Sequence, residues 1–311
     1  MGLNKIVVAV NFSDESEIAV DQAFEIARHT GAHLTLLHVG EALDYPNGVP
    51  VPIAEHIARM GESFADDGER LEQIEERISA QGVAVAHVVL DGIVDQGICA
   101  AAEQMGSDMI IIGTRGRTGP KRFFPGSVAE HVVRLSNKHV LIARAVDNIR
   151  GGYRRILVFS DVAEVSDPVL EMATAVASPG ATIDVQYCCD FPPASYPYCA
   201  PALSTRDVAT WLRERMPVGA AEFDDESPGH HRGRSVSRPW SERHDRYDLI
   251  VIGSHGHSGP ARRLLGSVAE FTVHYSPCSV LVVHEEGRLR GIGLDLDEGT
   301  GQTWHSERFV T

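Results

Sequence analysis

The chain has 311 residues, enough for two domains of ordinary size. Its 28 Lys and Arg stand against 43 Asp and Glu, and the formal net charge of -15 argues against broad binding to nucleic acid or acidic lipid. The longest apolar runs, such as DMIIIG, are strand-sized and far short of the roughly 20 residues that cross a bilayer, so membrane insertion is not expected.

The opening MGLNKIVVAVNFS has no long apolar segment before a small-residue cleavage site, so the expected location is cytoplasmic. Cys99, Cys188, Cys189, Cys199 and Cys278 are odd in number and follow no regular framework, which fits a reducing setting.

Apolar periodicity alternates between two patterns along the first half. KIVVAV, 5–10, reads as a buried central strand. Residues 16–29 place Ile18, Val20, Ala23, Phe24 and Ala27 mostly on one helical face, and Gly31 stops that helix. A strand is predicted over 32–39, a helix over 68–81 ending at Gly82, and a strand over 83–90. A helix over 93–105, a strand over 108–113, a short helix over 127–136 and a last strand from Asn137 complete the half. This β-α alternation implies parallel strands with right-handed crossovers.

The second half repeats the pattern less cleanly. Strands are predicted over 156–160, 181–188, 248–253 and 279–284, with a helix near 205–215 and a degraded third strand at VGAAEF, 218–223. DDESPGHHRGRSVSRP, 224–239, has almost no apolar residues and reads as a loop. The expected units are residues 1–147 and 153–285, followed by an acidic, glycine-rich tail over 286–311.

Two kinds of match establish the repeat. NKIVVAVNFSDES at Asn4 matches RRILVFSDVAEVS at Arg154, an offset of 150 residues. GTRGRTGPKRFFPGSVAE at Gly113 matches GSHGHSGPARRLLGSVAE at Gly253, an offset of 140. Both glycine segments fit G-x2-G-x9-G-[ST], through Gly113, Gly116, Gly126 and Ser127 and through Gly253, Gly256, Gly266 and Ser267. Glycine turns at the carboxyl end of a parallel strand let several N–H groups converge on an anion, and the following helix start favours phosphate. A structural alternative needs no ligand: Ser127 with Glu130, and Ser267 with Glu270, have capping-box spacing.

These segments, with the VAVNFSDES start and the flanking MGSDMIIIG and YDLIVIG strands, resemble the universal stress protein family in its tandem form. The resemblance spans nearly all of residues 1–285. It implies an α/β fold of two tandem open parallel five-stranded sheets, order 3-2-1-4-5, with helices on both faces, like the adenine nucleotide alpha hydrolases. It also implies binding of ATP or a related adenine nucleotide, with Mg2+ as a candidate companion. In the first half Val39 and Gly92 would lie on the adenine side. Gly113, Arg115, Gly116 and Arg117 would run under the phosphates, and Gly126, Ser127 and Val128 would close over them. The family's usual aspartate after the first strand is Asn11 here, followed by Ser13. Asn11 lacks the charge useful for Mg2+. The second half keeps that aspartate as Asp161, with Gly253, His255, Gly256, His257, Gly266, Ser267 and Val268, but the stretch matching LDGIV is polar.

Histidines 230, 231, 244, 255 and 257, with the paired cysteines, offer zinc-type donors, but no C-x2-C or H-x3-H element joins them and no metal site is assigned. No nucleophile-base arrangement emerges, so no catalytic residue is expected, and weak ATPase activity is left open. The two last strands would each be an edge alone, and pairing them would cover both edges, making an internal pseudo-dimer. A homodimer is also left open. The expected role is that of a nucleotide-binding stress or regulatory protein with an unidentified protein partner. The alternative is a non-nucleotide interaction scaffold.

Overall fold

The computed structural model describes residues 2–40, 53–114, 126–146, 152–161, 167–188, 221–222, 247–254 and 265–284. The predicted helix near 205–215, the loop 224–239 and the tail 286–311 lie outside them.

The first half runs β1 (Lys5–Ala9), α1 (Asp14–Thr30), β2 (His33–Gly40), α2 (Ile53–Ser79), β3 (Val85–Asp91), α3 (Val94–Gln104), β4 (Met109–Gly113), α4 (Ser127–Leu135) and β5 (His139–Ala143). The second runs β6 (Tyr153–Asp161), α5 (Asp167–Val176), β7 (Ala177–Cys188), β8 (Ala221–Glu222), β9 (Leu249–Gly253), α6 (Ser267–Tyr275) and β10 (Ser279–Val283). Helix α2 extends well upstream of the predicted start at residue 68. The predicted third strand of the second half is the two-residue β8, which pairs with Ala181 and Thr182 of β7.

The two five-stranded sheets are not separate: both halves share one sheet through the pairing of their last strands, the arrangement expected from covering two open edges. Its order is β3-β2-β1-β4-β5-β10-β9-β6-β7-β8. Each half keeps the 3-2-1-4-5 order with parallel neighbours, and the halves meet where β5 pairs antiparallel with β10. Val280, Leu281 and Val282 lie opposite Ile142, Leu141 and Val140. The physical reason is edge closure: two apolar five-residue strands would otherwise leave rows of N–H and C=O groups unpaired.

Alternation along the strands divides the core. Ile6, Val8, Leu34, Leu36, Ile111 and Leu141 pack with α1, α2 and α5 on one face. Val7, Leu37, Ile110, Val140 and Ile142 pack with α3, α4 and α6 on the other. The sheet is therefore covered on both sides, and its central strands read as continuous apolar runs because both faces are buried.

One carboxylate in each half pins the start of the central strand. Asp108 Oδ2 accepts from the backbone N–H groups of Asn4 at 2.7 Å and Lys5 at 2.9 Å. Asp248, 140 residues later, accepts from those of Arg154 at 3.0 Å and Arg155 at 2.9 Å. The shared Asp of SDMIIIG and YDLIVIG thus has a structural task that its place beside a β-run did not disclose.

Candidate functional site

Parallel strands end on one edge, so β1 to β4 bring Asn11, Val39, Gly92 and Gly113 to the same side of the first half. Chain direction reverses its lateral course here: α1 and α2 carry the chain away from β1 on one face, and α3 returns it to β4 on the other. Crevices beside such a switch point are the usual ligand sites of open α/β sheets.

Asn11 follows β1 and folds back on the chain. Its Oδ1 accepts from Ser13 N–H at 3.2 Å and from the Ser13 hydroxyl at 2.6 Å. Ser13 is the N-cap of α1, and its Oγ accepts from Ser16 N–H at 3.3 Å. Between them Phe12 adopts a left-handed φ of 59°. Its ring lies 4.9 Å from the His38 ring and 3.8 Å beneath the Arg70 guanidinium. His38 Nδ1 donates to Val10 O at 2.7 Å, and its Nε2 faces Asp67 Oδ2 at 3.4 Å. This wall of Phe12, His38, Asp67 and Arg70 escaped sequence reasoning, because it joins four positions from three elements with no shared period.

Val39 is buried at the end of β2, under α3. A Cβ on Gly97 would stand 3.0 Å from Val39 Cγ1, so the interior glycine of α3 admits the helix to the strand end. Gly92 has φ of +145°, which an L-residue adopts only under strain, and its N–H donates to Gly40 O at 3.1 Å.

Gly113 closes β4 against the first turn of α1. A Cβ there would meet Glu15 O at 2.3 Å and Glu15 C at 2.6 Å. Helix–strand contact by itself therefore demands the first glycine of the motif. Arg115, Gly116 and Arg117 lie outside the described residues. The chain returns at Gly126, the N-cap of α4, with Ser127 as the first helical residue and Val128 against the second core.

The predicted capping box is not formed. Gly126 supplies no side chain to the helix start, and Glu130 points away from it, accepting from Arg134 Nη2 at 3.0 Å. Arg134 also donates to Glu270 of the second half at 2.7 Å. Ser127 is exposed at the start of α4.

The second half repeats the frame. Asp161 is the last residue of β6, and Gly253 ends the neighbouring strand β9. Gly266 is the N-cap of α6, again without a side-chain bond, and its N–H donates to Ser254 O at 2.9 Å. That bond ties the returning end of the glycine loop to the strand it left. Ser267 opens α6, and Val268 packs partly buried against the second core. His255, Gly256 and His257 lie outside the described residues, as do His230, His231, His244, Cys189 and Cys199. Because β5 and β10 are antiparallel, the two sets of strand ends occupy opposite edges of the sheet.

Among the described residues, Glu130, Glu270 and His274 form a group with metal-compatible spacing. Arg134 already bridges both carboxylates there, which makes the guanidinium their cation. No helix among the described residues is long and apolar enough to cross a membrane.

A duplicated, doubly wound α/β protein with a glycine N-cap at the helix start beside each switch point is thus defined. The profile of the universal stress protein family matches residues 2–144 and again 152–284, and the chain belongs to that family. It is 34% identical over 146 residues to universal stress protein YxiE of Bacillus subtilis, covering 45% of this chain and 99% of that protein. With universal stress protein Rv2005c of Mycobacterium tuberculosis it shares 25% identity over 300 residues, 90% of this chain and 97% of the relative. A solved universal stress protein from Archaeoglobus fulgidus superposes with a TM-score of 0.65 at 20% identity, covering 91% of this chain and 97% of that one, a likeness of fold.

Proposed function

We propose that this chain is a regulatory binding protein for an adenine nucleotide, with ATP as the leading ligand and the first half as the principal site. The observation that carries this reading is the uncapped start of α4. Gly126 offers the first N–H groups of the helix no N-cap side chain, at the carboxyl edge of β4 and beside β1. Such a helix start favours phosphate through its free donors and its dipole. Family membership supports the same reading. Val39, Gly92 and Gly113 would frame the base and phosphates, with Arg115, Gly116 and Arg117 completing the loop.

Residues 1–147 and 153–285 would act as the two units of an internal pseudo-dimer, the second unit with a weaker site at Asp161, Gly253, Gly266 and Ser267. Binding would bias the glycine loops and so a protein partner. Among the described residues of the frame no group is placed as a general base, and the proposed output is binding rather than chemistry.

Calorimetric titration of ligand-free protein with ATP, ADP, AMP and cyclic AMP tests this. The expected result is saturable heat for at least one nucleotide, reduced when Gly116 is replaced by Val. Absence of heat with all four would remove the nucleotide reading and favour the scaffold alternative.

A further inference from the structure

The duplicated frame places Asn11 and Asp161 at the same position, five residues beyond Ile6 and Ile156, which pair with Met109 and Leu249 at the two equivalent strand junctions. Asp161 belongs to a type that binds hard cations. Asn11 does not, and its surroundings settle how its amide is used. A carboxamide oxygen has two lone pairs. The Ser13 backbone N–H takes one at 3.2 Å and the Ser13 hydroxyl the other at 2.6 Å. The backbone donor fixes the amide orientation, since a flipped Asn11 would set NH2 against N–H. Ser13 Oγ is itself engaged by Ser16 N–H at 3.3 Å. The group Asn11 presents outward is therefore its Nδ2, a hydrogen-bond donor, on an exposed residue. Mg2+ requires oxygen ligands in near-octahedral array, and this position offers it none. Asp14 is the nearest carboxylate in sequence, but it opens α1, where the helix start already favours its charge.

We infer that Asn11 meets the phosphate-bearing ligand of the first half as a hydrogen-bond donor through Nδ2, and that no divalent cation bridges that ligand to this strand end. The inference rests on the nucleotide reading above. It gives the asymmetry between the halves a chemical meaning: one strand end is built for a bare phosphate and the other carries a residue able to hold a cation.

The test uses full-length protein carrying Ser267→Asp, which places a negative charge at the start of α6 to repel phosphate from the second half. ATP is titrated by calorimetry in Mg2+ and again in EDTA. The expected dissociation constants agree within about threefold. Adding Asn11→Asp, which can still accept both Ser13 bonds, is expected to make binding at least tenfold weaker in EDTA than in Mg2+. A tenfold loss in EDTA with Asn11 intact would overturn the inference while leaving nucleotide binding standing. An Asn11→Asp variant indifferent to Mg2+ would overturn the role of Asn11. No heat in either buffer, for this protein or the unaltered chain, would instead sink the nucleotide reading itself.

Discussion

The Tyr153 hydroxyl donates to Gln22 Oε1 at 2.6 Å, joining the second half's first strand to the first half's first helix inside a fully buried contact. Gln22 uses both lone pairs of its amide oxygen and donates from its nitrogen. Its Nε2 donates to Arg144 O at 2.8 Å, and Ser279 Oγ also donates to its Oε1 at 3.1 Å. One amide thus links α1, the end of β5, β6 and β10. Tyr153→Phe removes one donor and leaves Ser279 in place, so it should cost about 1 kcal/mol. Gln22→Ala strips partners from the Tyr153 hydroxyl and Arg144 O together and opens a cavity, so it should cost about 3 kcal/mol. Urea unfolding midpoints of the full chain would order the two variants. Equal, negligible losses would show that this contact does not hold the halves together.

The opposite end of the junction is closed by a histidine. His284 N–H donates to His139 Nδ1 at 3.2 Å, as Arg144 N–H donates to Ser279 Oγ at 3.1 Å at the first end. His139 must then be neutral, with its proton on Nε2. Burial pushes its imidazole down to about 4, against the pull of Asp108 and with a small push from Lys138. The folded state therefore binds fewer protons than the unfolded state, and stability rises with pH across this interval. The contribution is complete above the unfolded value of about 6.5 and is lost as pH falls toward 4, amounting to about 2 kcal/mol between pH 7 and pH 5. His139→Asn keeps an acceptor without a titration in this range. Its unfolding free energy should lose about 2 kcal/mol less than the parent's over the same interval. Parallel pH profiles for the two proteins would count against the buried neutral His139.

Gly113 carries a steric demand that stands apart from any ligand. A methyl group there would overlap Glu15 O at the first turn of α1. Gly113→Ala should destabilise the protein by about 1–3 kcal/mol by displacing that helix start. Thermal unfolding without ligand would measure it. An unshifted midpoint would mean that α1 yields freely.

Arg134 and Glu270 form a partly exposed bridge between the halves. Its worth is discounted by solvent and salt, so a double-mutant cycle with Arg134→Met and Glu270→Gln should give a coupling of about 0.2–1 kcal/mol, smaller at high salt. A coupling above that range, insensitive to salt, would mark a buried junction that the exposures of both groups do not suggest.

Much of the first half could be read locally. The apolar runs of β1, β2 and β4, the Gly31 stop of α1 and the start of α4 all follow from periods and caps within a few residues. The phosphate side of the candidate site was legible as glycine spacing, and Asn11, Ser13 and Val39 entered it through the family resemblance. Ser127 and Glu130 have the letters of a capping box, yet Glu130 turns to Arg134, because a second carboxylate from α6 completes that cluster. The wall around Phe12 depends on α2 packing over β2 and β3, which brings Arg70 to the Phe12 ring, and no local pattern announces it.

The duplication, the α/β alternation, the glycine turns after equivalent strands and the exchange of Asp161 for Asn11 are all legible in the order of residues. Those are properties of residue type and short-range spacing. Folding in three dimensions set the rest: the antiparallel sense of the β5–β10 pairing, which sends the two sets of strand ends to opposite edges, the demand of Glu15 on Gly113, and the use of the Asn11 oxygen by Ser13. Each of these depends on where a backbone or side-chain atom finds its partner. The register of the β5–β10 pairing and the Arg134–Glu270 contact reach across more than a hundred residues, where neither periodicity nor spacing carries a signal.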